Sequence, residues 1–151
     1  MAMYLLKTEP SDYSFADLKR EKRCVWSGVA NPAALIALRA MKKGDHAYIY
    51  HTGDDKAIVG VAKAVSNAYG DPAKPETNER GEWKYAVVDL APVRDLKRPI
   101  SLATIKADAR LGNFALVRQS RLSVMAVPAE IEKVLLELED NGGSPQPRRR
   151  G

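Results

Sequence analysis

The sequence predicts an α+β domain in which about five strands, with short helices at both ends, curl into a small, partly closed β-barrel. The middle of the chain is a succession of short β-branched and aromatic runs divided by Gly, Pro and Asp turns, whereas helix-start signals occupy both ends. Gly60 interrupts the longest β-branched run, at the kind of position where a sheet bends as it curls. With 151 residues, 45% of them hydrophobic, the chain has material for one core, and a single domain is expected over residues 1–140. Residues 141–151, which end in Arg148-Arg149-Arg150-Gly151, are expected to form a disordered basic tail because they have nothing to bury.

The first strand is read from Ala2 to Lys7 and is stopped by Thr8-Glu9-Pro10. Ser14-Phe15-Ala16-Asp17 has the spacing of a capping box with an acid in the third helical position, and it opens a short helix toward Lys22. Asn31-Pro32 starts a second helix, since Asn accepts from free N–H groups and proline suits the first helical position. That helix runs through Leu35, Leu38 and Met41 to Lys42-Lys43-Gly44, a cationic last turn and a glycine stop. Strands follow at His46 to His51 and Ala57 to Tyr69, joined by the hairpin loop Thr52-Gly53-Asp54-Asp55-Lys56. Gly70 to Glu82, with Pro72, Pro75 and many polar residues, is expected to be a mobile flap. Trp83 to Leu90 is another strand, followed by a turn-rich segment to Pro99. Ser101 caps a short helix through Lys106, and Leu122 to Val127 reads as a closing strand. Pro128 starts an amphipathic helix with Ile131, Val134, Leu135 and Leu138 at helical spacing.

Composition excludes several kinds of chemistry. Cys24 is the only cysteine, so there is no internal disulfide and no cysteine-rich zinc site. The two histidines, His46 and His51, stand five apart on one strand, where the pleat sends them to opposite faces and keeps them from a shared metal. No phosphate-binding glycine loop or dinucleotide fingerprint occurs. Ser27, Ser120 and Ser123 are available as nucleophiles, but none sits in a nucleophile elbow. No catalytic residue, metal or cofactor is therefore expected. The net charge of +5 is compatible with a polyanionic partner. Its local clusters, Lys19-Arg20-Glu21-Lys22-Arg23, Lys42-Lys43 and Lys97-Arg98, read equally well as solvated surface or as a phosphate-contacting face. The N-terminus lacks a basic leader, and the longest apolar runs are too short to span a bilayer. A cytoplasmic location is expected.

Two stretches point to a recognition pocket for a planar, nucleobase-like group. Trp26-Ser27-Gly28-Val29-Ala30-Asn31-Pro32 combines a large ring for stacking, a flexible glycine and a helix start with unpaired N–H donors. Gly28 allows close backbone approach, and Asn31 carries both a donor and an acceptor where it is not committed to capping. Tyr48-Ile49-Tyr50-His51-Thr52 ends a strand with a second polar-aromatic patch. Alternation places Tyr48, Tyr50 and Thr52 on one face and Ile49 and His51 on the other. If Ile49 is core, His51 points toward the barrel mouth and Tyr50 flanks it.

These motifs carry a family resemblance. Lys7-Thr8-Glu9-Pro10, Tyr13-Ser14, Asp17-Leu18 and Trp26-Ser27-Gly28-Val29 with Asn31 resemble the opening of EVE-domain proteins. The likeness continues through Leu38 to Asp45, Tyr50-His51-Thr52, Val59-Gly60-Val61 and Ala68 to Pro72. It extends to Val88-Asp89-Leu90 and Arg118-Gln119-Ser120-Arg121-Leu122-Ser123-Val124, so it spans roughly Met3 to Leu138. The resemblance implies a PUA-like fold, a small, partly closed, twisted barrel of about five to six strands related to the YTH and SRA-type readers of modified bases. It implies a non-catalytic module that reads a modified base, commonly modified cytosine in DNA, in an aromatic-lined pocket. By motif position the pocket would be lined by Thr8, Trp26, Ser27, Gly28, Val29, Asn31, Tyr50, His51 and Thr52, with Arg118, Arg121 and Ser123 supplying polar or cationic groups nearby. Thr8 replaces a serine common in the family, while Ala30 and Pro32 stand where many members carry an arginine and an aromatic residue. The last two changes weaken phosphate and stacking contacts on that rim. RNA binding and a small-molecule or nucleotide sensor or enzyme are the alternatives. A monomer is expected, with any restriction or repair role left to a separate effector protein.

Overall fold

Strand β1 (Met3–Thr8) sends Tyr4 and Leu6 to one face of the sheet and Leu5 to the other, and all three are buried. A strand buried on both faces needs a packed layer on each side. On the first face lie α1 (Phe15–Glu21) and α2 (Pro32–Arg39), which contribute Phe15, Leu18, Ala34, Leu35 and Leu38. On the second lie α3 (Leu102–Ala107), α4 (Ala115–Arg118) and α5 (Ala129–Asp140), which contribute Ile105, Leu116, Ile131, Val134, Leu135 and Leu138. The expected stripe of the last helix is thus core packing. The computed structural model describes residues 1–141, so the expected disordered tail lies, from residue 142 onward, outside the described residues.

The sheet runs in the order β2 (Cys24–Trp26), β6 (Ala86–Ser101), β4 (Ala57–Ala64), β3 (His46–His51), β1, β7 (Val124–Ala126), with β5 (Tyr69–Gly70) paired to β6. Only β1 and β3 pair in parallel, in unbroken register from Met3↔His46 to Thr8↔His51. The path does not close: β2 and β7 are its two ends. This is the partly closed α+β, PUA-like half-barrel that the sequence predicts. Its bends fall at register shifts, between Ile49 and Tyr50 on β3 and on either side of the Gly60–Val61 pair on β4. At Gly60 the Phe15 ring of α1 lies against the backbone, and a Cβ there would collide with it.

Local capping agrees with the sequence. Ser14 and Asp17 form a reciprocal capping box, and Asn31 Oδ1 accepts from Ala34 N–H at 3.0 Å. Ser101 Oγ accepts from Thr104 N–H. Four expectations need correction, the first being the second helix, which stops at Arg39 instead of running through Met41 to a last turn at Lys42-Lys43-Gly44. The strand expected to reach Tyr69 ends at Ala64, because Ser66 and Asn67 turn their side chains to backbone groups of Asp89 and Lys43. The expected flap is a held turn: β5 pairs with β6, Thr77 bridges Trp83, and Asn78 Oδ1 accepts from Arg80 and Glu82 N–H. The expected turn-rich segment after Leu90 is instead the second half of β6, whose bulges accommodate Pro92 and Pro99.

One buried charge ties α5 to this bulged strand. Glu139, 2% exposed, takes Arg94 Nη1 at 2.6 Å and Nη2 at 3.1 Å, and also accepts from Lys97 N–H. Burial pushes its carboxyl up, but these hydrogen bonds outweigh it and hold the pKa below the ordinary glutamate value. Because the folded-state pKa is depressed, the associated stability is complete above the unfolded value of about 4.3 and is lost as pH falls through the folded one. Glu139→Gln should therefore cost about 1.5–3 kcal/mol at neutral pH and flatten the acid limb of the stability curve, as read by urea unfolding from neutral pH downward. Parallel acid limbs for variant and parent would refute this role. Gly60→Ala should lower stability by about 1–3 kcal/mol through overpacking against Phe15, measured by the same unfolding midpoint.

Candidate nucleic-acid interface

The two ends of the strand path face each other across a cleft of about 390 Å³. One wall comes from β2 and the loop after it, Cys24 to Ala30, and the other from Lys7 and Thr8 at the end of β1 with Ser123 just before β7. Trp26 is 7% exposed and belongs to the core, so it offers the cleft an apolar wall rather than an open stacking plate. Tyr13 stands edge-on to it, with ring centroids 6.2 Å apart and planes at 80°. Burial, with hydrogen bonds to Glu21 and Cys24, raises the Tyr13 phenol above its ordinary pKa, so it stays protonated and donates to Glu21 Oε1.

Around the rings lies a polar rim. Thr8 Oγ1 donates to Tyr13 O at 2.7 Å, which leaves its lone pairs to face a ligand as acceptors. Gly28, Val29 and Ala30 make no backbone–backbone hydrogen bond among the described residues, so their N–H and C=O groups are available at the rim. Gly28 has φ +83°, a conformation that favours glycine and that turns the chain there. Lys7 Nζ donates to Ser120 O at 2.9 Å, and burial holds its pKa below the ordinary lysine value. No carboxylate lines the cleft. Cys24 also lines it, but burial pushes the thiol pKa up and so disfavours the nucleophilic thiolate.

Of the expected ligand residues, Thr8, Trp26, Ser27, Gly28, Val29 and Ser123 meet in this cleft. The others do not. His51 shares a face with buried Ile49, but α1 covers that face. Its Nε2 accepts from Phe15 N–H at 3.0 Å, which leaves the proton on Nδ1, 3.1 Å from Asp55 Oδ2. It fastens the start of α1 to the end of β3. Tyr50 and Thr52 line a second cleft beside Lys7. Asn31, Arg118 and Arg121 line a third, of about 340 Å³. The Asn31 carbonyl is committed to its cap, and Arg118 donates to Asn113 Oδ1. Tyr13 and Lys7 also line the cleft, and neither is among the ligand residues expected from the sequence. The signal for both was present, since each opens a motif already quoted for the family resemblance and flanks a strand end or helix cap.

The EVE domain family model matches residues 2–138. Thymocyte nuclear protein 1 of Homo sapiens is 32% identical over 91% of this chain and 73% of its own length, and that of Gallus gallus is 33% identical over 91% and 68%. Among solved structures, Rpa0253 from Rhodopseudomonas palustris superposes with a TM-score of 0.82 at 36% identity, covering 93% of this chain and 94% of that one. Human THYN1 protein, solved in complex with DNA containing 5-methylcytosine, superposes with a TM-score of 0.82 at 30% identity, covering 93% and 98%. An ASCH protein from Zymomonas mobilis, at 18% identity and a TM-score of 0.57, shares the fold alone. The family model covers nearly all the described residues and the half-barrel is that of these relatives, so the chain belongs to the EVE domain family.

Proposed function

We propose that this protein is a non-catalytic reader of a modified nucleobase, modified cytosine in DNA, which it holds in the cleft beside Trp26. The observation that carries the reading is the pairing of two perpendicular aromatic rings with a rim of unpaired backbone groups, in a cleft without carboxylates. A base inside a duplex hides both faces in the stack, so a reader of its substituent takes it out of the helix. An apolar wall such as Trp26 then replaces part of the lost stacking, and the edge-on phenol of Tyr13 narrows the opening to a planar group. Thr8 Oγ1, Ser27 Oγ and the backbone of Gly28 and Val29 meet the polar edge of the base. Arg118 and Arg121, both exposed, supply charge for the flanking backbone. The complex of the human relative with 5-methylcytosine-containing DNA supports modified cytosine as the ligand class. The geometry also favours binding over catalysis: neither histidine lines the cleft, and His51 is occupied by Phe15 and Asp55.

Trp26→Ala should abolish the preference for modified over unmodified cytosine in otherwise identical oligonucleotides, while leaving residual binding that weakens with added salt. Because Trp26 is also core, the same change should cost about 3–5 kcal/mol of stability, so a melt accompanies the titration. Tyr13→Ala, at a half-exposed position, tests the same wall with less damage to the fold and should likewise reduce the preference. Undiminished discrimination in folded samples of both variants would sink the assignment.

A further inference from the structure

Beside the tryptophan cleft, and sharing Lys7 with it, lies a second cleft of about 200 Å³. Three ammonium-bearing side chains line it, Lys7, Lys56 and Lys106, and among the described residues no carboxylate does. The fold brings them together from distant parts of the chain. Lys7 is near the end of β1, Lys56 closes the β3–β4 loop with φ +42°, and Lys106 is in the last turn of α3. A hydrogen bond from Leu102 N to Lys56 O at 2.7 Å holds that loop against the start of α3.

Elsewhere the chain pairs many of its cations, as in Lys19–Asp95, Arg94–Glu139 and Lys97–Asp140. Here it does not: among the described residues, neither the Lys56 nor the Lys106 ammonium has an ion-pair or hydrogen-bond partner. Like charges gathered around one hollow repel each other, and an anion seated between them removes that cost. The Lys7 ammonium, already partly desolvated, gains most. The hydroxyl of Ser120 adds a donor, Thr52 Oγ1 being directed to Thr8 O and Glu9 Oε1 at 3.4 Å, while Leu102, Leu116 and Val117 form an apolar floor suited to sugar carbons.

Building on the base-reading role above, we propose that the Lys7–Lys56–Lys106 cleft is a phosphate subsite, which grips the phosphodiester next to the base held beside Trp26. Lys7 is the shared wall, so occupancy of one cleft orders a side chain of the other. Phosphate binding here sets the register of the strand, and the tryptophan cleft reads the base.

The test uses the full chain and the double variant Lys56→Gln/Lys106→Gln, neither residue being part of the tryptophan cleft. The probes are an oligonucleotide with one 5-methylcytosine, the same strand with methylphosphonates replacing the two linkages that flank it, 5-methyldeoxycytidine and its 5′-monophosphate. The variant should bind the intact strand about tenfold or more weakly at low salt, with a log–log salt slope shallower by about one. It should bind the nucleoside as the parent does, and the two proteins should bind the neutralised strand alike. An unchanged affinity and slope for the intact strand would overturn the subsite. A loss for the monophosphate with none for the strand would also overturn it, by assigning the cleft to free nucleotides. Failure of the base reading shows up separately, as a parent protein that does not distinguish modified from unmodified cytosine.

Discussion

The parallel ladder between β1 and β3 constrains the rest of the molecule. Parallel neighbours cannot be joined by a tight turn, so the chain from Glu9 to Asp45 must cross over a face of the sheet before β3 can pair. That crossover contains α1, β2 and α2. It makes β2 the edge strand beside β6 and brings the segment after Trp26 back toward the end of β1. The cleft is therefore a product of topology, formed where β2 and β7 fail to meet. His51, at the last pair of the ladder, fixes the crossover by accepting from the first N–H of α1. The close seat of Phe15 on Gly60 fixes it a second time.

Charge is distributed around this frame in a way that matters to function. Asp89, Asp95, Asp108, Glu139 and Asp140 all hold arginines or lysines at positions that line neither the tryptophan cleft nor the lysine cleft. The pairs exposed on both sides, Lys19–Asp95 and Lys97–Asp140, contribute little stability, whereas Glu139 and Asp108 are buried. Among the described residues, the cations that line the two clefts, Lys7, Lys56 and Lys106, share their walls with no carboxylate. Lys7 belongs to both clefts, and in the proposed mode of binding it is the point that would couple base contact to backbone contact.

Much of the local structure was legible in the sequence because its causes are local. The Ser14–Asp17 box, the Asn31 cap with Pro32 behind it, the Ser101 cap and the bounds of β3 all stand where residue type and spacing put them. Half of the expected site was legible too, since Trp26 to Val29 are consecutive and Thr8 and Ser123 follow from the family motifs. What was not legible depended on partners far away in the chain. Pro92 and Pro99 argue against a strand until β4 supplies register shifts that accommodate them. The Gly70–Glu82 segment looks like a free flap until β6 offers an edge to β5. His51 looks like a mouth residue until α1 is seen to cover its face.

By itself, then, the sequence determined the domain class, the helix caps, the bounds of β3 and the family to which the chain belongs. Capping and periodicity act over a few residues, and the family motifs are strings of neighbours, so none of these needs the fold to be known. Only the tertiary structure decided which ends meet. It set Tyr13 edge-on to Trp26, made Lys7 a wall common to two clefts, and kept Asn31 and His51 from lining the tryptophan cleft. The physical reason is that pairing order and helix docking are settled by the burial of distant surfaces together, as where Leu6 of β1 and Val124 of β7 pair and enter one core.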